Sequence, residues 1–197
     1  MFGHIYDLFL LPFEKLGLAR LRSQLLSKAS GNVLEIGFGT GLNLAHYPSS
    51  IKLTAVEPNR ALLTKAKQRT KKFNRVDTHL IETEGTNLPF ESGIFDTVVL
   101  TLVFCSAKEP EALLKEAHRV LKPGGSLLLL EHTGRQNGLA FIFFSILTFG
   151  WKYISGGCHL NRDPSQALKT LGFPTKREKH FLLGIFKLFE VAKPNNS

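Results

Sequence analysis

Short runs of β-branched and aliphatic residues recur along this chain and alternate with segments of helical period. VLEI (33–36), KLTAV (52–56), DTHLIE (77–82), FDTVVLTLVF (95–104) and SLLLLEH (126–132) read as strands. GLNLAHY opens a helix, residues 59–72 form a second with a basic end, and PEALLKEAHRVL (110–121) is a third, stopped by Lys122-Pro123-Gly124-Gly125. Successive strands joined through helices at about thirty residues per unit need crossover connections, and these bury a parallel sheet on both faces. The pattern predicts a doubly wound α/β sheet.

The ends of the chain fit one domain of 197 residues. Residues 1–30 form an N-terminal helical segment in which Pro12 suits the first helical position, and Phe13, Leu16, Arg20, Gln24 and Ser27 separate an apolar stripe from a polar one over 12–28. After residue 133 the alternation lapses, then resumes with a helix at 164–171 and strands near 176–183 and 186–193. The PNNS tail reads as disordered.

Charge and cysteine content narrow the partners. The 25 Lys and Arg against 16 Asp and Glu give +9, which suits an anionic surface or acidic substrate, or simply a well-solvated exterior. Seven cations and no acid fall between Arg60 and Arg75, read as a solvated helix face rather than a nucleic-acid site. Two cysteines, Cys105 and Cys158, make neither a disulfide framework nor a zinc motif, so no metal is expected and a reducing cytoplasm fits. The N-terminus lacks the features of a signal peptide, which predicts a chain that is not exported. The most apolar window, 139–151, holds 13 residues, short of the roughly 20 that span a bilayer. It suits a membrane interface, so peripheral contact stays open.

Strand 33–36 runs into Gly37, Gly39 and Gly41. A glycine-rich turn between strand and helix brings backbone amides close to a ligand, either the pyrophosphate of a dinucleotide or the amino-acid end of S-adenosylmethionine (SAM). The dinucleotide pattern GxGxxG needs a third glycine where Leu42 stands, which weakens the phosphate reading. Glu57, twenty residues after Gly37 at the end of the second strand, suits a carboxylate that accepts from ribose hydroxyls.

VLEIGFGTG, VEPN, TEGTNLPF, FDTVVLTLVF and RVLKPGGSLLLLEH occur in this order, and together they resemble the class I SAM-dependent methyltransferases over about residues 31–132. The resemblance implies a Rossmann-like, mostly parallel seven-stranded sheet whose last strand is antiparallel. It also implies SAM as cofactor. Glu35, Gly37, Phe38, Gly39 and Gly41 match the SAM-binding turn, Glu57 matches the ribose-binding acid, and Pro58 would lie beside the adenine. Glu84 falls where the family often has an Asp for the adenine amino group, with Gly85 and Thr86 as backbone contacts. Thr101 and Leu102 match the loop that borders the methyl group.

The acceptor is less constrained. Tyr6, Asp7, Cys105, His132, Cys158 and His159 are candidates near the strand ends, and His132 is the expected catalytic residue. YDLFLLPFEK and the turn are similar to bacterial phospholipid N-methyltransferases. TLVFCS, RVLKPGGSLLLLEH and WKYISGGCHLNRD are similar to the methyltransferase-like thiol S-methyltransferases of animals. Both imply a small or lipophilic acceptor, a thiol first and an ethanolamine lipid as the alternative, with residues 133–163 as an acceptor-side insertion or lid. A SAM-binding protein without turnover is the alternative of another class.

Overall fold

The computed structural model describes residues 2–73, 77–132, 159, 162–181 and 185–195. Seven strands form one sheet in the order β3-β2-β1-β4-β5-β7-β6. They are β1 Asn32–Ile36, β2 Lys52–Val56, β3 Thr78–Ile81, β4 Phe95–Thr101, β5 Leu121–His132, β6 Thr175–Phe181 and β7 Phe186–Ala192. β1 pairs in parallel with β2 and β4, β2 with β3, and β4 with β5, while β7 lies antiparallel between β5 and β6. The order reverses at β1/β4, the switch point where an open α/β sheet takes ligands at its carboxyl ends.

Both faces of the central strands β1, β4 and β5 are buried, while the edge strand β6 is largely exposed. Helices α4 (Pro110–Val120) and α5 (Pro164–Thr170) cover one face with Leu113, Leu114, Ala117 and Leu168 against Leu34, Val98, Leu127 and Phe189. The other face takes α2 (Ala19–Leu26), the 3-10 turn Leu42–His46 and α3 (Arg60–Lys72), through Leu21, Leu25, Leu26, Leu44 and Ala66 against Val33, Leu53, Val99 and Leu128. Leu25 and Leu26 are fully buried, each stabilising the fold by about 2 kcal/mol. Asn59 caps α3, accepting from the amides of Ala61 and Leu62.

The helix expected over 12–28 is corrected. α1 spans Phe2–Phe13 with Pro12 inside it, a π-helical stretch covers Glu14–Leu18, and α2 follows. Gly17, at φ 130°, makes the break, a conformation that only glycine adopts freely. Two boundaries also move. β4 stops at Thr101 because Leu102 turns left-handed, at φ 58°. β5 begins at Leu121, which already pairs with Phe95, and Lys122-Pro123-Gly124-Gly125 sits at a register shift inside the strand. The helix expected after the glycines is the 3-10 turn alone, ended by Tyr47 and Pro48.

No helix among the described residues is long and apolar enough to cross a membrane. The window 139–151 lies outside the described residues.

Candidate functional site

The turn after β1 has all three glycines at positive φ: 73° at Gly37, 59° at Gly39 and 79° at Gly41. Backbone bonds fix it. The Gly37 and Phe38 amides both donate to the Val56 carbonyl, tying the turn to the end of β2. A side chain at Gly37 would press its Cβ to 2.4 Å from Val103 Cγ2, and one at Gly41 to 2.9 Å from the Phe38 ring. At Gly39 the same Cβ would meet nothing within 4 Å, so that position faces open space.

Glu57 reaches this turn from β2. Its Oε2 accepts from the Gly39 amide and its Oε1 from the Asn59 amide, each at 2.9 Å. Burial raises its pKa, the nearby Glu84 charge adds to the rise, and the two amides oppose it. Glu84 is exposed at the end of the neighbouring strand, so the two acids share one end of the sheet. Gly85 is a close-packing glycine whose Cβ would lie 2.4 Å from Ile36 and 2.5 Å from Leu113. Thr86 is half-buried and Pro58 exposed beside Glu57.

Beneath the turn runs a buried polar network. Glu35, 1% exposed, accepts from Asn43 Nδ2 and from the Tyr47 hydroxyl, both at 2.7 Å. Asn43 Nδ2 also donates to Thr101 Oγ1 at 2.8 Å. Arg22, 4% exposed on α2, donates from Nη1 to Asn43 Oδ1 at 2.7 Å and to Thr101 Oγ1 at 3.3 Å, and from Nε to Glu14 at 2.9 Å. Burial pushes the Glu35 carboxyl up to about 7, against the pull of Tyr47, Asn43 and the Arg22 guanidinium. One pocket is lined by Arg22, Glu35, Gly37, Phe38, Gly39, Thr40, Leu42, Asn43 and Thr101. A wider groove of about 410 Å³ lies at the amino ends of the strands, lined by Lys52, Thr54 and His79 with Phe90 and Ile94. That is the opposite end from the switch point.

The sequence expectations thus converge in part. Glu35, Gly37, Phe38, Gly39 and Thr101 line one pocket, and Glu57 is bonded to it. Arg22, Thr40 and Asn43 were not foreseen. Arg22 had one visible signal, a cation on the apolar stripe that includes Leu18, Leu21, Leu25 and Leu26. Asp7 closes α1 onto the turn, since Thr40 Oγ1 donates to its Oδ1 at 2.6 Å while Lys65 and Arg69 hold its Oδ2 at 2.8 and 2.9 Å.

His132 stands at the end of β5, outside that pocket, with its ring edge-on to Phe186 at 5.6 Å. Burial lowers its pKa to about 4, so the imidazole is neutral at physiological pH and weakly basic, which does not favour the expected catalytic role. Cys105 is buried, and its carbonyl accepts from the His159 amide. The Tyr6 side chain and Cys158 lie outside the described residues. Among the described residues no His, Cys, Asp and Glu group could hold a metal.

Comparison with known proteins places this geometry. Residues 34–129 match the family model described as Methyltransferase domain. The rat thiol S-methyltransferase TMT1B is 40% identical over 138 residues, 66% of this chain and 55% of that protein. The human thiol S-methyltransferase TMT1A is 33% identical over 171 residues, 83% of this chain and 68% of its own length. The chain spans 55–63% of the length of the rat, mouse and human TMT1B proteins. Among solved structures, a SAM-dependent methyltransferase of Thermotoga maritima superposes with a TM-score of 0.68 at 23% identity, covering 98% of this chain and 100% of that one. Likeness of this extent, over the strands that carry the turn, makes the chain a member of the SAM-dependent methyltransferase family.

Proposed function

We propose that the protein transfers a methyl group from SAM to a thiol on a small or lipophilic molecule. One observation carries the cofactor half: Glu57 and the glycine turn, from different strands, meet at the Gly39 amide with Gly39 facing open space. The residues fit an S-adenosyl group. The Arg22 guanidinium suits a carboxylate, Glu35, with one partner on each oxygen, keeps acceptor capacity for an ammonium, and Glu57 keeps lone pairs for ribose hydroxyls. For the adenine, exposed Pro58 and Glu84 and half-buried Thr86, which follow the ends of β2 and β3, support the reading, while Gly85 is packed against Ile36 and Leu113.

SAM supplies an electrophilic methyl on a sulfonium. The chain's task is to hold the acceptor in line with that carbon and to keep water out. A thiol suits this site because its ordinary pKa of about 8.5 leaves part of it as thiolate at neutral pH. The thiolate fraction reacts without a base, its proton having gone to solvent, and His132, held by burial near pKa 4, is too weak a base to draw the rest. The thiol assignment is supported by the names of the rat and human relatives. A lipophilic acceptor and peripheral membrane contact are supported by Leu8, 70% exposed on the helix that packs against the cation-rich α3, and by Leu16, 71% exposed on the π-helical stretch.

The experiment is an acceptor screen with mass detection, using a small alkyl thiol, an ethanolamine lipid and a quinone precursor. Methylated thiol formed in a SAM-dependent way is the expected result. Methylated ethanolamine lipid alone would replace the thiol assignment. SAM binding with no product from any acceptor would favour a non-catalytic binding protein.

A further inference from the structure

Glu131 is a buried acid that the cofactor pocket does not use. It is fully enclosed at the end of β5, two strands from the glycine turn. Its Oε1 accepts from the amides of Val103 and Phe104, at 2.9 and 3.0 Å. Those amides belong to the turn after β4, in which Leu102 stands at φ 58°, the only positive-φ residue other than glycine among the described residues. A leucine in the left-handed region costs about 1–2 kcal/mol and persists only where its surroundings impose it. The carboxylate collects consecutive N–H groups that this conformation points inward, as an anion fills a backbone nest.

The Arg162 guanidinium holds the same turn by its carbonyls. Arg162 Nη1 donates to the carbonyls of Phe104, Cys105 and Ala107. The turn therefore has its donors met by one side chain and its acceptors by another. The turn adjoins the cofactor pocket without lining it: Val103 stands where a Gly37 Cβ would, and Thr101, which lines the pocket, is held in β4 just before the turn.

We propose that Glu131 is a positioning residue for methyl transfer, clamping the Leu102–Phe104 turn as the wall between the glycine turn and the acceptor. The proposal rests on the methyltransferase reading above and deepens it. Glu131 touches neither reactant. It acts through the turn, so its loss misaligns the acceptor while the cofactor contacts of Glu57 and Arg22 stay intact.

The test uses the full chain with Glu131→Gln and Glu131→Leu, read by S-adenosylhomocysteine affinity, turnover of the alkyl thiol, and amide hydrogen exchange. Both variants are expected to fold and to bind S-adenosylhomocysteine within about threefold of wild type, with kcat down at least about tenfold in Glu131→Leu and less in Glu131→Gln. The amides of Val103 and Phe104 should exchange at least about tenfold faster in Glu131→Leu, with β1 and β2 unchanged. Turnover within about threefold of wild type in folded Glu131→Leu overturns the proposal. So does a kcat loss matched by an equal loss of cofactor affinity, or failure of both variants to fold, which would make Glu131 a stability residue alone. Should wild-type protein methylate no acceptor, the acceptor assignment falls by itself. The exchange arm then decides the clamp, and unchanged protection at 103 and 104 overturns it.

Discussion

The carboxylate of Glu57 accepts a hydrogen bond from the main-chain amide of Gly39, 2.9 Å away and eighteen residues earlier in the chain. Through this bond the end of β2 and the turn after β1 become one surface. A ligand lying there meets peptide groups on one side and an acid on the other. Each oxygen of Glu57 has one amide partner and so keeps acceptor capacity for a hydroxyl pair.

The glycines are not equivalent, and substitutions should separate them. Gly39→Val places its side chain in open space and costs about 1–2 kcal/mol for its left-handed backbone, so the protein folds but loses S-adenosylhomocysteine binding. Gly37→Val bears the same backbone cost and drives into Val103, so it destabilises more. Thermal melts with ligand titrations check both. Equal destabilisation, or normal binding by Gly39→Val, would count against the assignment of the open side.

Arg22 should act on the amino-acid end of the ligand alone. Arg22→Met is expected to weaken S-adenosylhomocysteine about tenfold or more, while leaving 5′-methylthioadenosine, which lacks the carboxylate, nearly unchanged. The same change strips Glu14 of its 2.9 Å partner and costs about 3 kcal/mol of stability. Parallel losses for the two ligands would mean that Arg22 only supports the fold.

Glu35 ties stability to pH in a direction that can be worked out. Its pKa rises from 4.5 to about 7 on folding, so its proton is bound more tightly in the native state. The stability this confers is complete below pH 4.5, falls as pH rises towards 7 and is gone above it. The difference between wild type and Glu35→Gln in urea unfolding should therefore decline by about 3 kcal/mol across that window. Glu131, also raised to about 7, is present in both proteins and cancels. A flat difference would show Glu35 to be ionised throughout.

Much of the sheet was legible because buried parallel strands carry their signal locally. KLTAV runs over the same residues as β2, and VLEI falls one residue short of β1 at its start. The N-terminal helices were misread because Pro12 has the φ of a helix start yet sits near the end of α1, and because Gly17 looks like any helix-interior glycine until its φ is known. The glycine turn and Glu57 could be paired from spacing, since each ends a strand. Arg22, Asn43 and Glu131 could not, because their partners are brought together only by the closed sheet: Arg22 meets Thr101 across 79 residues of chain.

Calorimetric titration of S-adenosylhomocysteine into wild type and Glu57→Ala tests the central claim most directly. The account predicts one site in wild type and an affinity lower by about 1.5–3 kcal/mol in the variant, through lost charged hydrogen bonds. No heat at high micromolar ligand, or equal affinity in the two proteins, would contradict it.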